Sequence, residues 1–310
     1  MMTPIWKDTI KALLTYLVLL SSVLFFPFIG IILAVFVPVP LAWLTYRHDW
    51  RQGTITALIS SLLLSFIFGP FSLIFTILFA LPGVLMGHFF KQKRSAFSVL
   101  AGVGLSITAG VVLLYAGTNI FLNIDPVQSF QTAMYESVET SENMIDVMDP
   151  QNGMLVEEMK SSIDYISVIA PFILVMISVS YSFLVQLTSG HILRKGGHEI
   201  VRFPPFRTWG FPKEFIWYYL VILMLSFVTF ESGSAVFIAV ENLLPLLHII
   251  MTIQGLAFIF FYFNYKGRSI TWPVIIVILA VLLPIFLQLI RILGIIDLGF
   301  NLRERMQGSD

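Results

Sequence analysis

Residues 68–94 read FGPFSLIFTILFALPGVLMGHFFKQKR, and this stretch decides the fold class. It is apolar for about twenty residues, the length that a helix needs to cross the hydrocarbon core of a bilayer. Gly and Pro within the run would weaken a helix in water, but they are tolerated in a membrane span. The run stops at three cations, Lys91, Lys93 and Arg94, which are typical of a cytoplasmic end. The stretch therefore predicts a transmembrane helix.

The composition of the whole chain agrees with a membrane protein. Of its 310 residues, 57% are hydrophobic and 12% are charged, whereas soluble domains carry about 25% charged residues. The formal net charge of +0 excludes a basic nucleic-acid-binding footprint. The sequence has no cysteine, which excludes disulfides, thiol catalysis and cysteine-based metal sites. The first apolar run is too long for a cleavable signal peptide, and further spans follow it.

Apolar runs of span length recur along the chain and predict an all-α, polytopic bundle of about nine transmembrane helices, with eight or ten as alternatives. The predicted spans are residues 10–26, 28–46, 54–68, 71–90, 98–119, 166–188, 215–231, 238–264 and 272–293. They define a six-span domain over 1–190, a cytoplasmic connector over 191–214 and a three-span part over 215–310. The first two spans can also be interpreted as one bent helix.

The distribution of Lys and Arg predicts a multi-pass cell-membrane protein with a cytoplasmic N-terminus, because cytoplasmic loops are enriched in these residues. In this orientation the cations that lie outside are Lys160, Arg291, Arg303 and Arg305. The three arginines among them favour a cytoplasmic C-terminus instead, which would require an even number of spans.

Small residues spaced four apart predict close helix packing. Gly83 and Gly87 share one face of their span, and Gly102, Ser106 and Gly110 repeat the spacing in the next. Small residues let two membrane helices approach closely. We expect these faces to pack within the bundle, and the alternative is a groove for a partner subunit or a ligand.

Five segments in this order resemble the YybS family of bacterial multi-span membrane proteins. They are TYRHDWRQG (45–53), LPGVLMG (81–87), PPFRTWGFPKEFIWYYL (204–220), IQGLAFIFFYF (253–263) and LGIIDLGFNLRER (293–305). The resemblance covers most of the chain. It implies a membrane protein and brings no established activity with it.

A more distant likeness covers residues 1–190. Six spans, the Gly69-Pro70 entry into one of them, and Pro82-Gly83 followed by Gly87 before a basic exit are similar to the substrate-binding S components of energy-coupling-factor transporters. The likeness implies a small-molecule site that is open to the outside. The Ala-x-x-x-Ala face through which S components commonly dock is missing around Ala12, where the sequence reads KALLTY.

In the transport interpretation, the ligand lies in the outer half of the six-span bundle. The polar side chains that could orient it are Ser65, Ser72, Tyr115 and Asn119. Ligand sites are mostly apolar with a few placed polar groups. Because we identify no buried charge that could pair with a charged ligand, we expect a small uncharged one. Tyr115 and Asn119 could instead be interfacial anchors.

Residues 120–165 are polar and predict an external acidic helical hairpin. Asp125 followed by Pro126 is a typical helix start, and Asn152-Gly153 separates the two predicted helices. The acidic residues are Asp125, Glu136, Glu139, Glu142, Asp146, Asp149, Glu157, Glu158 and Asp164. We expect a solvated acidic face and neither metal nor cofactor. The alternative is a Ca²⁺ site at Glu139, Glu142 and Asp146, for which the usual loop pattern is absent.

The connector, residues 191–214, alternates aromatic residues with cations, as suits the headgroup layer of a membrane. We expect it to lie along the membrane surface, and the alternative is a docking surface for a cytoplasmic protein partner. Within the spans, ionisable residues are functional candidates because burying them is costly. Glu241 and His248 share a helix face and could form a proton or ligand relay. In the alternative, Glu241 lies at the interface and His248 hydrogen-bonds within the bundle.

The sequence lacks the catalytic motifs H-E-x-x-H and G-x-S-x-G, a P-loop, and paired aspartates at membrane depth. We therefore expect no enzyme. Two functions remain, and they belong to different classes. One is the binding or transport of a small molecule, and the other is a membrane scaffold that positions cytoplasmic or envelope partners.

Overall fold

The structure, a computed structural model, describes residues 4–69, 72–145 and 153–307. These residues form helices and connecting turns, without strands. Six helical segments are long and apolar enough to cross a membrane: Ile5–Phe25, Trp50–Phe68, Ser72–Lys91, Ala96–Leu122, Val156–Lys195 and Ala235–Tyr265. The predicted all-α membrane bundle is therefore confirmed.

The chain divides into two compact units. Unit 1 comprises Met1–Pro150 and Ile173–Phe203, and unit 2 comprises Gln151–Phe172 and Pro204–Asp310. The boundary at Phe203 divides the predicted connector between the units, and residues 151–172 leave the predicted N-terminal domain. This difference arises because the helix that begins at Gly153 is 43 residues long, and its first part belongs to unit 2.

Unit 1 contains most of the helices, and the last of them, α9, begins in unit 2 and ends in unit 1. The helices are α1 (Pro4–Phe25), α2 (Pro27–Leu33), α3 (Val39–Arg47), α4 (Trp50–Phe68), α5 (Ser72–Phe75), α6 (Leu81–Lys91), α7 (Ala96–Leu122), α8 (Pro126–Ile145) and α9 (Gly153–Lys195). A π-helical turn, Thr76–Ala80, joins α5 to α6. This turn lies just before Pro82, which lacks an N–H and whose ring disfavours a regular helical ladder.

The predicted span 28–46 is a discontinuous helix rather than a regular one. Gly30 lies against Val23, and Arg47 pairs with Asp8 over 3.2 Å. Contacts in this reversed order place α2 and α3 antiparallel along α1. Turns over residues 34–38 interrupt the segment, and α2 and α3 are each too short to cross a bilayer.

A hydroxyl group of α9 satisfies one of the carbonyls that this interruption leaves free. Tyr181 donates to the carbonyl oxygen of Ala34 over 3.1 Å. Thr188 lies 3.4 Å from the carbonyl oxygen of Val35, but its single hydroxyl hydrogen has closer acceptors at 3.0 Å within α9. A free carbonyl in an apolar environment is costly. The break is therefore stabilised by a residue 147 positions further along the chain.

The glycine faces predicted from the sequence lie at helix contacts. A methyl group on Gly83 would meet the carbonyl oxygen of Pro38 at 2.5 Å, and one on Gly87 would overlap the carbonyl oxygen of Ala42. In α7, Gly102 lies against the ring of Phe89, and Gly110 lies against a methyl of Ile77. Ser106, between them, donates to the carbonyl oxygen of Gly102 over 2.7 Å. These small residues let α6 approach α3, and α7 approach α6 and the π-helical turn.

The predicted external hairpin is found only in its first helix. α8 begins at Pro126, as the sequence predicts. The second helix is not separate, because α9 runs without interruption from Gly153 into the predicted span. Residues 146–152 and the side chain of Glu142 lie outside the described part of the chain, so the alternative Ca²⁺ site at Glu139, Glu142 and Asp146 also falls outside it.

Unit 2 is built around one long helix. Its further helices are α10 (Glu214–Leu225), α11 (Ala235–Tyr265), α12 (Thr271–Leu282), α13 (Pro284–Phe300) and α14 (Leu302–Gln307). α10 has 12 residues and is shorter than the predicted span 215–231. The predicted span 272–293 is interrupted at Leu283, which precedes the helix-starting Pro284. Gly255 and Gly294 lie where the backbones of α11 and α13 meet.

Candidate functional site

The four side chains predicted to orient a ligand in unit 1 line neither of two open cavities described on the surface of this unit. One cavity, of about 350 Å³, lies along α1 and is lined mainly by apolar side chains. The other, of about 550 Å³, lies at the end of α9. Ser65 donates back to the carbonyl oxygen of Leu62, and Ser72 is buried. Tyr115 and Asn119 are exposed on α7.

Tyr115 has a role in the loop that joins α7 to α8. Its hydroxyl donates to Asp125 over 3.0 Å. Asp125 also accepts hydrogen bonds from the backbone N–H groups of Val127 and Gln128, which start α8. The bond from Gln128 is the main cause that lowers the pKa of Asp125, with those from Tyr115 and Val127 adding to it. In this arrangement Tyr115 positions a helix cap, as an interfacial anchor would.

In unit 2, the two residues of the predicted relay have different partners. Glu241 accepts a hydrogen bond from the hydroxyl of Tyr165 in α9. His248 packs against the ring of Tyr219 in α10, with 5.7 Å between the ring centroids. The two are seven residues apart on α11, so about 10 Å of helix separates them. A direct hydrogen bond between them is therefore excluded.

Asn242, next to Glu241, inserts its side-chain amide into the backbone ladder of α9. Its Oδ1 accepts from the N–H of Phe172, and its Nδ2 donates to the carbonyl oxygen of Val168, each over 2.7 Å. In an uninterrupted helix these two backbone groups would bond to each other. Pro171 lies between them in sequence and disfavours the regular ladder. Asn242 thus replaces one backbone hydrogen bond of the otherwise continuous helix α9 and links α9 to α11.

Arg291 is the charged residue that the sequence analysis misplaced. Its assignment to the outside put it at the end of a span, but it is the eighth residue of α13, in the interior of this helix. α13 packs closely against α11, the helix that carries His248, through Gly294 and Gly255. Its Nε is buried and has no hydrogen-bond partner among the described residues. Arg291 as a whole is partly buried, and the expectation that no buried charge is available concerned the first six spans.

A second cluster of polar residues lies where α11 meets α13. Gln254 donates to the buried carboxylate of Asp297 over 2.5 Å, and Arg303 of α14 pairs with the same oxygen over 3.0 Å. Arg303 also donates to the backbone carbonyls of Arg207 and Trp209 over 3.2 and 2.8 Å. Asp297 is thus compensated by two donors, and α14 is held against residues 204–211.

This arrangement places the C-terminal helix at the connector end of α11. Besides the bonds of Arg303, the hydroxyl of Tyr265 donates to the carbonyl oxygen of Met306 over 2.8 Å. Arg207 in turn donates to Asn264 over 2.7 Å. The nine-span scheme puts Arg303 and the connector on opposite sides, whereas these contacts favour the alternative of an even number of spans. The chain returns after α13 because Asn301 adopts a left-handed conformation and reverses its direction.

The aromatic residues of the connector that belong to unit 2 contact other residues of the same unit. Phe206 packs edge-on against Phe260, and Phe211 packs against Phe215. The indole of Trp209 donates to the carbonyl oxygen of Pro204 over 3.0 Å. These contacts tie residues 204–211 to α10 and α11, and the position of the connector along the membrane surface stays a prediction.

Sequence reasoning missed three residues of unit 2: Asn242, Asp297 and Arg291. Asn242 and Asp297 could not be recognised because their partners lie about 70 and 43 positions away. Arg291 carried a signal, since it is a lone cation inside the apolar stretch LLPIFLQLIRILGII, residues 282–296. An ionisable residue in a membrane helix is a functional candidate.

Comparison with known proteins shows which family the chain resembles. A family model described as "Predicted membrane protein (DUF2232)" matches residues 13–298. The protein of Bacillus subtilis (strain 168) named "Uncharacterized protein YybS" is 32% identical over 295 residues, which cover 92% of this chain and 93% of the relative. The resemblance to YybS is therefore confirmed. No solved structure matches the chain, and the likeness to S components stays a prediction.

Proposed function

Because the chain belongs to the DUF2232 family of predicted membrane proteins, we propose a function from its geometry: it is a non-enzymatic protein that binds and transports a small anion. The proposed site lies in unit 2 and consists of Arg291 and His248, with Tyr219 beside the imidazole. The location of the protein in the cell membrane and the cytoplasmic side of its N-terminus remain predictions from the distribution of cations.

The observation that carries the proposal is the buried, unpartnered Nε of Arg291. A cation without a counter-ion is expensive in a low-dielectric interior, and leaving one donor unpaired adds to that cost. Among the described residues, no carboxylate pairs with Arg291, whereas Arg303 and Arg47 each have one. A bound anion would supply the missing acceptor.

The surrounding groups define the class of ligand. The guanidinium group of arginine can hold a carboxylate or phosphate through two parallel hydrogen bonds. His248 adds a second nitrogen donor or acceptor, and the ring of Tyr219 provides an apolar wall. Glu241, about 10 Å along α11, would repel an anion that moved toward it. These groups favour a small carboxylate or phosphate over the uncharged ligand expected from unit 1.

The scaffold is the second candidate function. The unit 2 half of the connector offers it little support, because Phe206, Trp209 and Phe211 already have partners within unit 2. The remaining cytoplasmic candidates belong to residues 191–203 in unit 1. A protein that co-purifies with the chain, with no small anion present, would favour the scaffold.

Analysis of co-purifying metabolites tests the proposed function. The wild-type protein, Arg291→Gln and Arg268→Gln would be purified in a mild detergent, and their bound small molecules extracted and identified by mass spectrometry. Arg268 is a matched control, because it is an exposed cation of the same unit. We expect the same anion in the wild-type protein and in Arg268→Gln, and its loss from Arg291→Gln. Equal amounts in all three proteins would reject Arg291 as its ligand.

A further inference from the structure

A basic cleft lies at the end of α9 in unit 1, in the half of the connector that unit 2 does not use. The cleft has a volume of about 550 Å³, and its charged lining residues are Lys93, Arg194, Glu199 and Arg202. Three cations and one carboxylate leave a formal surplus of two positive charges. Such a surplus favours an anionic ligand.

The carboxylate neutralises only part of the basic cleft. Glu199 pairs with Lys93 over 3.0 Å, and this hydrogen bond is the main cause that raises the pKa of Lys93. Both side chains are largely exposed, at 85% and 67%, so the pair is weak and open to exchange. Arg194 and Arg202 both line the same cleft. Neither has an acceptor among the described residues.

The position of the basic cleft indicates where its ligand comes from. α6 and α9 end beside it at Lys91 and Lys195, where two candidate spans end. Val201 in the cleft and Phe97 nearby are exposed to 43% and 40%. Phe97 packs edge-on against Phe203, which follows Arg202. Cations next to exposed apolar side chains at the end of a span are typical of the headgroup layer.

From this geometry we propose that the basic cleft binds the phosphate of an anionic phospholipid, held between Arg194 and Arg202. The phosphate would accept hydrogen bonds from both guanidinium groups and separate their like charges. The acyl chains would lie along the neighbouring apolar side chains. A soluble phosphate has the same charge but gains nothing from those apolar contacts.

Native mass spectrometry of the full chain can test this proposal. The protein would be equilibrated with phosphatidylglycerol or with zwitterionic phosphatidylcholine, and retained lipid counted. We expect the wild-type chain to retain phosphatidylglycerol preferentially, and the double variant Arg194→Gln/Arg202→Gln to retain it at least about tenfold more weakly. Lys195→Gln, which removes a neighbouring exposed cation outside the cleft, should behave as wild type. Equal losses in both proteins would overturn the proposal.

Two further measurements keep the test independent of folding defects. Glu199→Gln removes the carboxylate of the cleft, so retention of phosphatidylglycerol should increase, and an unchanged or reduced retention would contradict the proposal. Glycerol phosphate and inorganic phosphate would be added as competitors. We expect weak competition at millimolar concentration, whereas full displacement by either would identify a soluble phosphate as the ligand and overturn the lipid assignment.

Discussion

Asn242 of α11 accepts a hydrogen bond from the backbone N–H of Phe172 in α9, over 2.7 Å. Its amide nitrogen donates to Val168, one turn earlier in α9. One side chain thus replaces a backbone hydrogen bond next to Pro171. A side chain inserted into the helical ladder is a recognised cause of a helix bend, and here it joins the two longest helices that meet in unit 2.

The first prediction concerns this junction. Asn242→Ala removes both partners and leaves a backbone N–H and a carbonyl unsatisfied, at about 1–3 kcal/mol for each group. We expect a clearly lower unfolding temperature in detergent. Asn119→Ala is the control, because Asn119 is exposed on α7. If both variants unfold at the same temperature, α9 does not depend on the Asn242 amide.

The second prediction concerns the contact of α6 with α3. Gly87→Ala places a methyl group onto the carbonyl oxygen of Ala42, which is backbone and cannot move aside easily. Overpacking of this kind costs about 1–3 kcal/mol. Gly117→Ala in α7 meets nothing within 4 Å and should be neutral or stabilising, since alanine favours a helix. Equal unfolding temperatures would show that α6 and α3 are further apart than described.

Much of the fold follows from local patterns in the sequence. The apolar runs give most helices, and Asp125 with Pro126 gives the start of α8. The interruptions near Val35 and at Leu283 are not predictable in this way. The carbonyl of Ala34 is satisfied by Tyr181, 147 residues away, and only the folded chain brings the two together.

In the candidate site, too, local sequence patterns predict some residues but not their partners from other helices. Glu241 and His248 stand out because they are ionisable residues in an apolar run, and helical spacing predicts their shared face. Their partners Tyr165 and Tyr219 come from other helices and carry no distinguishing signal. Arg291 was visible in the sequence but was assigned to an outside end, because the interruption at Leu283 and the extension of α13 to Phe300 were not foreseen.

The third prediction concerns the side of the C-terminus. Because Arg303 and Met306 contact the connector and Tyr265, residue 307 should lie on the same side of the membrane as residue 208. The chain has no native cysteine, so Thr208→Cys, Gln307→Cys and Ser232→Cys can be labelled singly with an impermeant maleimide in sealed vesicles. We expect Thr208→Cys and Gln307→Cys to react from one side.

Ser232→Cys serves as the opposite marker in this experiment. It precedes α11, whose 31 residues extend for about 46 Å before Tyr265. It should therefore react from the other side. Labelling of Gln307→Cys together with Ser232→Cys would contradict the placement of α14 and restore the nine-span scheme.

The fourth prediction is a pH dependence at the start of α8. Hydrogen bonds from Gln128, Tyr115 and Val127 lower the pKa of Asp125 below its ordinary value of 3.8. The stabilisation is therefore complete above the unfolded-state pKa and is lost as the pH falls through the folded-state pKa. Amide hydrogen exchange at Val127 and Gln128, corrected for intrinsic rates, should accelerate on going from pH 6 to pH 2.

Asp125→Asn provides the matched comparison, since asparagine also caps helices but carries no titrating group. Its exchange at Val127 and Gln128 should be the same at both pH values after the correction. An equal acid response in the wild-type protein and in Asp125→Asn would assign the effect to another group.

The most direct test of the proposed function is the stability of Arg291→Met with and without anions. Without a bound anion, the buried and unpaired Nε of Arg291 is a cost, so Arg291→Met should be at least as stable as wild type in a buffer with chloride as its only anion. A binding carboxylate or phosphate at 100 times its Kd should stabilise the wild-type protein and the control Arg268→Met by about 2.7 kcal/mol, and Arg291→Met not at all. If Arg291→Met is instead less stable in chloride and responds to the anions as wild type does, Arg291 is a structural residue and unit 2 does not bind an anion there.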